Sequence, residues 1–155
     1  MKFNDALLKI NLEVLTKYPS AQFYEAQGQL IETEDEEVDG TIDTDSFQVI
    51  YNYLDGDEQK TIVGSFTDEA TSVNIEIIDD IWCEDAIMTP YVPMLAEDAI
   101  EILNEALEEE IKPGPITLRH QLYPGEVEPR YFIGTIRALH SIKVYSGEID
   151  ADAGE

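Results

Sequence analysis

Apolar residues recur at helical spacing near the start of the chain. Leu7, Ile10, Val14 and Tyr18 stand at i, i+3, i+7 and i+11, with Leu8 and Leu15 widening the stripe. This period of about 3.6 predicts an amphipathic helix with one buried side. Asn4 suits its N-cap, because an amide side chain can accept from an open first-turn N–H, and Pro19 supplies a stop. Residues 21–31 read as a strand. From Phe47 the period shortens to two: Phe47, Val49, Tyr51 and Tyr53 alternate through Phe47–Leu54, the pattern of a half-buried strand. Asp55-Gly56-Asp57 is a hairpin turn signal, Thr61–Phe66 the return strand, and Val73, Ile75 and Ile77 a further strand ending at Asp79-Asp80.

Residues 81–93 contain Trp82, Cys83, Met88, Pro90 and Pro93 and read as a connector. A second helix is predicted from Leu95 to Glu110. Leu95, Ala99, Ile102, Leu103, Ala106 and Leu107 form its apolar face, and Glu97, Asp98, Glu101, Glu105 and Glu108 to Glu110 take the other. Acids in its first turn favour the helix dipole, whereas those at its end oppose it. Pro113-Gly114-Pro115 breaks the helix. Three strands are expected beyond: one on Ile116, Leu118 and Leu122, one over 131–136, and one carrying Ile142, Val144 and Ile149. Pro124-Gly125 is a turn between them, and the tail from Asp150 to Glu155 is expected to fray.

Side by side, the halves share an order of helix, proline-containing break and antiparallel strands. The expected fold is α+β, with two repeated helix-plus-antiparallel-meander units packed as one compact domain. The units are residues 1–80 and 94–149, joined by a connector at 81–93 and followed by an acidic tail at 150–155. In the first half Asp5-Ala6-Leu7-Leu8, Tyr18-Pro19-Ser20-Ala21 and Phe47–Tyr51 leading to Asp55-Gly56 carry a family likeness. In the second it is carried by Ala96–Ile100, Tyr131-Phe132-Ile133 and Val144-Tyr145-Ser146-Gly147-Glu148-Ile149. Each half resembles a PepSY-type unit. The resemblance implies non-enzymatic binding or inhibitory regulation, sometimes of peptidases, and brings no catalytic residues. The chain departs from that family in showing no export signal and in its insert at 32–45.

Charge changes the picture most. The 155 residues hold 34 acids against 9 Lys and Arg, a formal net charge of −25, yet 43% are hydrophobic. That apolar share predicts a folded domain rather than an acidic tail. Direct contact with nucleic acid and with anionic membranes is disfavoured, because both need clustered bases. Asp5 near the start and the lack of a long apolar run point to no leader and no membrane span, and the single Cys83 suits a reducing cytoplasm. Between Lys17 and Lys112 one base, Lys60, stands against 26 acids, while Lys143, Arg119, Arg130 and Arg137 lie in the last third. Residues 32–45 form an acidic loop without a base, expected to resist packing and to move.

The acidic field therefore suggests docking on a basic partner protein, in sharper form as an inhibitor, an immunity-type protein or a nucleic-acid mimic. Duplex DNA carries one charge per about 1.7 Å of axis, so the net charge matches about 40 Å of duplex. The candidate partner-binding residues are Glu34, Asp35, Glu36, Glu37, Asp39, Glu97, Glu101 and Glu105. Solvation alone would explain the same charge.

The alternative is a small-ligand or calcium-binding regulatory module centred on residues 35–45. Asp35, Glu37, Asp39, Gly40, Thr41 and Asp43 occupy positions 1, 3, 5, 6, 7 and 9 of an EF-hand-like loop, where closely spaced oxygens suit a hard cation. Asp35, Glu37, Asp39, Thr41 and Asp43 would be the metal ligands. Ser46 stands where the bidentate Glu belongs, and neither flank reads as helix. No cofactor other than calcium is suggested. Cys83 with His120 or His140 lacks the context of a nucleophile and base, and no nucleophile elbow or phosphate loop is present. Acidic pairs such as Asp79-Asp80 and Glu84-Asp85 are too common here to single out a catalyst, so the chain is read as a non-enzyme. Tyr51 and Tyr53 are read as the core side of their strand, and Tyr91 in the connector as the remaining interface candidate.

Overall fold

A computed structural model of the chain describes residues 1–67, 72–80, 92–108, 110–120, 129–134 and 139–150. Among these, two α-helices accompany antiparallel strands, so the fold is α+β. In chain order the elements are α1 (Phe3–Lys17), β1 (Gln22–Leu30), β2 (Gln48–Asp55), β3 (Glu58–Thr67), β4 (Ser72–Ile78), α2 (Ala96–Leu107), β5 (Gly114–His120), β6 (Pro129–Ile133), β7 (His140–Lys143) and β8 (Ile149–Asp150). The strands form one 8-stranded sheet in the order β4-β3-β2-β1-β5-β6-β7-β8. β1 and β5 meet at its centre, with Ala26 opposite Leu118 and Leu30 opposite Gly114. No helix among the described residues is long and apolar enough to cross a membrane.

The two-residue period sorts the sheet into faces. Val49, Tyr51, Ile62, Ile116, Leu118, Tyr131, Ile133 and Ile142 join α1 and α2 in one hydrophobic cluster. A bulge between Phe23 and Glu25 lets Phe23 and Ala26 sit opposite Tyr51 and Val49 despite an odd spacing. Phe3, Ala6, Leu7, Ile10 and Val14 are the buried apolar side of α1. Tyr51 lies in the core, and its hydroxyl bonds to Oδ1 of the buried Asn11. Gly64 on β3 makes room for the helix: a Cβ there would lie 2.5 Å from Cγ2 of Ile10. At the hairpin, Asp55 faces Glu58 and Gly56 takes φ +64°, as a two-residue primed turn requires.

Several expectations are corrected. Leu8 is 64% exposed, because the sheet receives the side of α1 centred on Leu7 and Ile10. Ala106 is likewise exposed, and the buried side of α2 is Ala96, Ala99, Ile100 and Leu103. Asn4 lies within α1, which starts at Phe3 without a side-chain cap. The second half has a fourth strand: Ile142 and Ile149 face each other across β7 and β8. Gly147, at φ +74°, allows the reversal between them. Trp82, Cys83, Met88, Pro90, Tyr91, Leu122, Pro124, Gly125, Arg137 and residues 135–136 and 151–155 lie outside the described residues.

The acidic loop is tied down rather than loose. The Phe3 amide donates to the Gly40 carbonyl, Ile31 to Thr41, Ile42 to Met1 and Asp43 to Gln29. Ile42 is 2% exposed within the core, and Val38 packs against it. Two apolar side chains and a ladder of backbone bonds thus outweigh the loop's charge density.

Candidate functional site

The loop and α2 together enclose an open acidic cleft of about 380 Å³, lined by Glu37, Val38, Asp39, Glu97, Asp98, Ile100, Glu101, Asn104 and Glu105. Glu97, Glu101 and Glu105 recur every four residues and so form one stripe along α2. Gly40 brings the opposite wall close. It sits at φ +99°, and an added Cβ would lie 3.2 Å from both the backbone N and the Cβ of Glu97. Any larger residue would strain the backbone and push the loop from the helix.

Lys2 lies beside the cleft and bridges two of its lining residues, Asp39 and Glu97. Its ammonium donates to the Asp39 carbonyl at 2.9 Å and to Glu97 Oε2 at 3.1 Å, and lies 3.0 Å from Asp39 Oδ2. Asp39 Oδ1 accepts from the Thr41 amide at 3.1 Å and from the Thr41 hydroxyl at 2.7 Å. Partial burial works against the charged form of Lys2, but the hydrogen bonds and charges of Asp39 and Glu97 prevail and raise its pKa. For Asp39 burial again opposes ionisation, and the bonds from Thr41 and Lys2 outweigh it, lowering its pKa.

α2 is positioned by α1. Asn4 Oδ1 accepts from the Ala96 amide at 2.7 Å, so Asn4 serves a helix starting 92 residues away. Its Nδ2 donates to the Tyr131 hydroxyl at 3.0 Å, which in turn donates to the Met94 carbonyl at 2.7 Å. The first turn of α2, and with it Glu97, is thereby fixed to α1 and β6.

Of the expected partner-binding residues, Glu37, Asp39, Glu97, Glu101 and Glu105 converge on the cleft. Glu34, Asp35 and Glu36 are exposed on the adjoining turn, where the Thr33 amide donates to the Glu37 carbonyl at 2.8 Å. Sequence reasoning missed Lys2 as a member of the site. Asp98 was visible as a first-turn acid, but its place in the cleft was not.

The proposed calcium ligands do not gather. Asp39 and Thr41 bond to each other, Asp43 Oδ1 accepts from the Asp45 amide at 3.1 Å, and Asp35 projects from the turn. Among the described residues no three His, Cys, Asp or Glu side chains are arranged to hold a metal. His140 opens β7 and His120 ends β5, while their suggested partner Cys83 lies outside the described residues.

Three bases of the last third, Arg119, Arg130 and Lys143, stand on the other face of the sheet. Arg119, Arg130 and Lys143 are cross-strand neighbours on β5, β6 and β7, alternating with the core residues Leu118, Tyr131 and Ile142. The Arg119 guanidinium lies 4.3 Å from the Phe132 ring centre, Arg130 donates to Ser141 at 3.0 Å, and Lys143 pairs with Glu148 at 2.9 Å. These three bases thus lie on the face of the sheet away from α2 and the acidic cleft. No family model matches the chain, nor does any curated protein or solved structure.

Proposed function

We propose that the chain is a non-enzymatic binding protein that docks its acidic cleft on a basic surface of another protein. The convergence of Glu37, Asp39, Glu97, Asp98, Glu101 and Glu105 on one open cleft carries this reading. Carboxylates spread only for solubility have no need to meet. Here the like-charged pairs 97/101 and 101/105 each cost about 0.2–0.5 kcal/mol on the helix surface, a cost that a docked cation removes. Lys2 already shows the contact in miniature, an ammonium held between Asp39 and Glu97.

The units α1–β4 and α2–β8 are read as two copies of one helix-plus-meander module, in PepSY-like fashion. Their common element order and the antiparallel β1–β5 pairing, which a twofold relation demands, support this. The modules correspond to residues 1–80 and 94–149.

A lysine-rich peptide titrated into the protein at low salt tests the docking. Glu101→Lys with Glu105→Lys should weaken binding at least about tenfold, since close charge pairs at interfaces couple by about 1.5 kcal/mol or more. Asp57→Lys with Glu58→Lys on the distant hairpin makes the same change in net charge and should weaken it far less. Equal weakening by both pairs would mean a diffuse field and no site.

A further inference from the structure

β4 ends the sheet on its side, and among the described residues nothing pairs with its outer edge. An edge strand presents open N–H and C=O groups, and proteins usually guard it with a proline, a bulge, several charges or a very short length. β4 carries none of these guards. Its seven residues run in unbroken register against β3, from Thr67↔Ser72 to Thr61↔Ile78. It contains no proline, and Glu76 is its single charge. Ile77 and Ile78 are 40% and 36% exposed.

We propose that β4 is a self-association edge, where two copies of the chain pair β4 against β4 in antiparallel fashion, centred on Ile75. The strand is self-complementary in this register. Ile75 meets its own copy, and Val73 meets Ile77 on the helix side of the sheet. On the other side Asn74 meets Glu76, an amide beside a carboxylate. Centring one residue later would set Glu76 against Glu76, which like-charge repulsion disfavours. The half-turn that relates the copies repeats every pair, so the contact closes as a dimer and covers both edges.

The charge of the chain gives this contact a salt signature. Each copy carries −25, so the two repel, and screening strengthens their pairing. Docking of a basic partner on the cleft has the opposite salt dependence, so the two ideas fail independently.

Sedimentation equilibrium of the full chain in about 20 mM and about 500 mM NaCl is the test, because the Debye length shrinks several-fold between them. A monomer–dimer equilibrium that tightens with salt is expected. Asn74→Glu sets a new carboxylate against Glu76 twice per dimer and should raise the dissociation constant about tenfold, equivalent to about 1.4 kcal/mol. Asn74→Lys should lower it. Asn74 is exposed, so both variants should keep the wild-type circular dichroism spectrum. Gln59→Glu and Gln59→Lys repeat the charge changes at the hairpin end of β3 and should have little effect. A monomer at both salts, as expected if the edge instead receives a strand from a different protein, overturns the proposal. So does a dimer indifferent to the charge at position 74.

Discussion

Gly64→Ala is predicted to destabilise the fold, although alanine normally suits a strand better than glycine. The added methyl carbon would lie 2.5 Å from Ile10 Cγ2 and 3.3 Å from Val14 Cγ2, where ordinary contact begins near 3.4 Å. Ile10 Cγ2 cannot swing clear, because a β-branched side chain in a helix has essentially one rotamer. The helix must therefore lift from β3. Overpacking of this kind costs about 1–3 kcal/mol, against an intrinsic gain of about 0.5–1 kcal/mol on replacing a strand glycine. The net loss is about 1–2 kcal/mol, or about 2–8 °C in Tm for a chain of this size. Equilibrium urea unfolding should show a lower midpoint with an unchanged slope. The diagnostic step is the Ile10→Ala background, itself costing about 2–5 kcal/mol, where the new methyl enters vacated space. There Gly64→Ala should be neutral or stabilising. If it costs as much with Ile10→Ala as without it, α1 does not rest on β3 through this contact.

Asn4→Ala removes the cap of α2 and the bond to Tyr131 and should cost about 2–3 kcal/mol in urea unfolding. In a double-mutant cycle with Tyr131→Phe, a coupling of about 1 kcal/mol is expected. Burial raises the pKa of Tyr51, and burial with the charge of Asp98 raises that of Tyr131 against a hydrogen bond from Asn4. Both phenols stay neutral in the folded protein at pH values where the unfolded chain ionises. Their stabilisation is therefore complete below about pH 10 and declines above it by up to about 1.4 kcal/mol per pH unit for each tyrosine. Urea midpoints between about pH 9 and 11 should fall accordingly, and less steeply in Tyr51→Phe. Glu101→Gln with Glu105→Gln should raise stability by about 0.5–1 kcal/mol by relieving the repulsions along α2, while weakening capture of the lysine-rich peptide.

Local signals carried far in this chain. The period-3.6 stripe through Leu7, Ile10 and Val14 and the alternation from Phe47 to Tyr53 are both legible without tertiary knowledge, since each element buries the side that its own spacing defines. Asn4 shows where such reading stops. Its residue type suggested a cap for α1, which has none, and the helix whose first amide it bonds begins at Ala96; no local pattern specifies a partner 92 residues distant. The loop at 32–45 failed for a different reason. Its many acids dominated the composition, while Val38, Gly40 and Ile42, which hold it in place, are few and their contacts distant. The strand pair β7–β8 was hidden because Ile142, Val144 and Ile149 fit one apolar run as well as two, and only the left-handed Gly147 divides them.

The cleft adds a constraint that charge counting could not supply. Lys2 neutralises the end near Gly40, where Asp39 and Glu97 meet. Among the described residues no base pairs with Glu37, Asp98, Glu101 or Glu105, so the field is strongest toward the far end of α2. A partner cation should enter there, beside Glu101 and Glu105, and would need to compete with Lys2 only deeper in the cleft. Solvation and function also part in sign at this point. Carboxylates that merely solubilise gain hydration wherever they stand, so crowding them on one helix stripe raises the energy of the free protein without return. If neutralising Glu101 and Glu105 stabilises the fold while peptide binding falls, the crowding is a stored repulsion released on docking. If stability and binding both stay unchanged, the stripe is too well screened to act as a site.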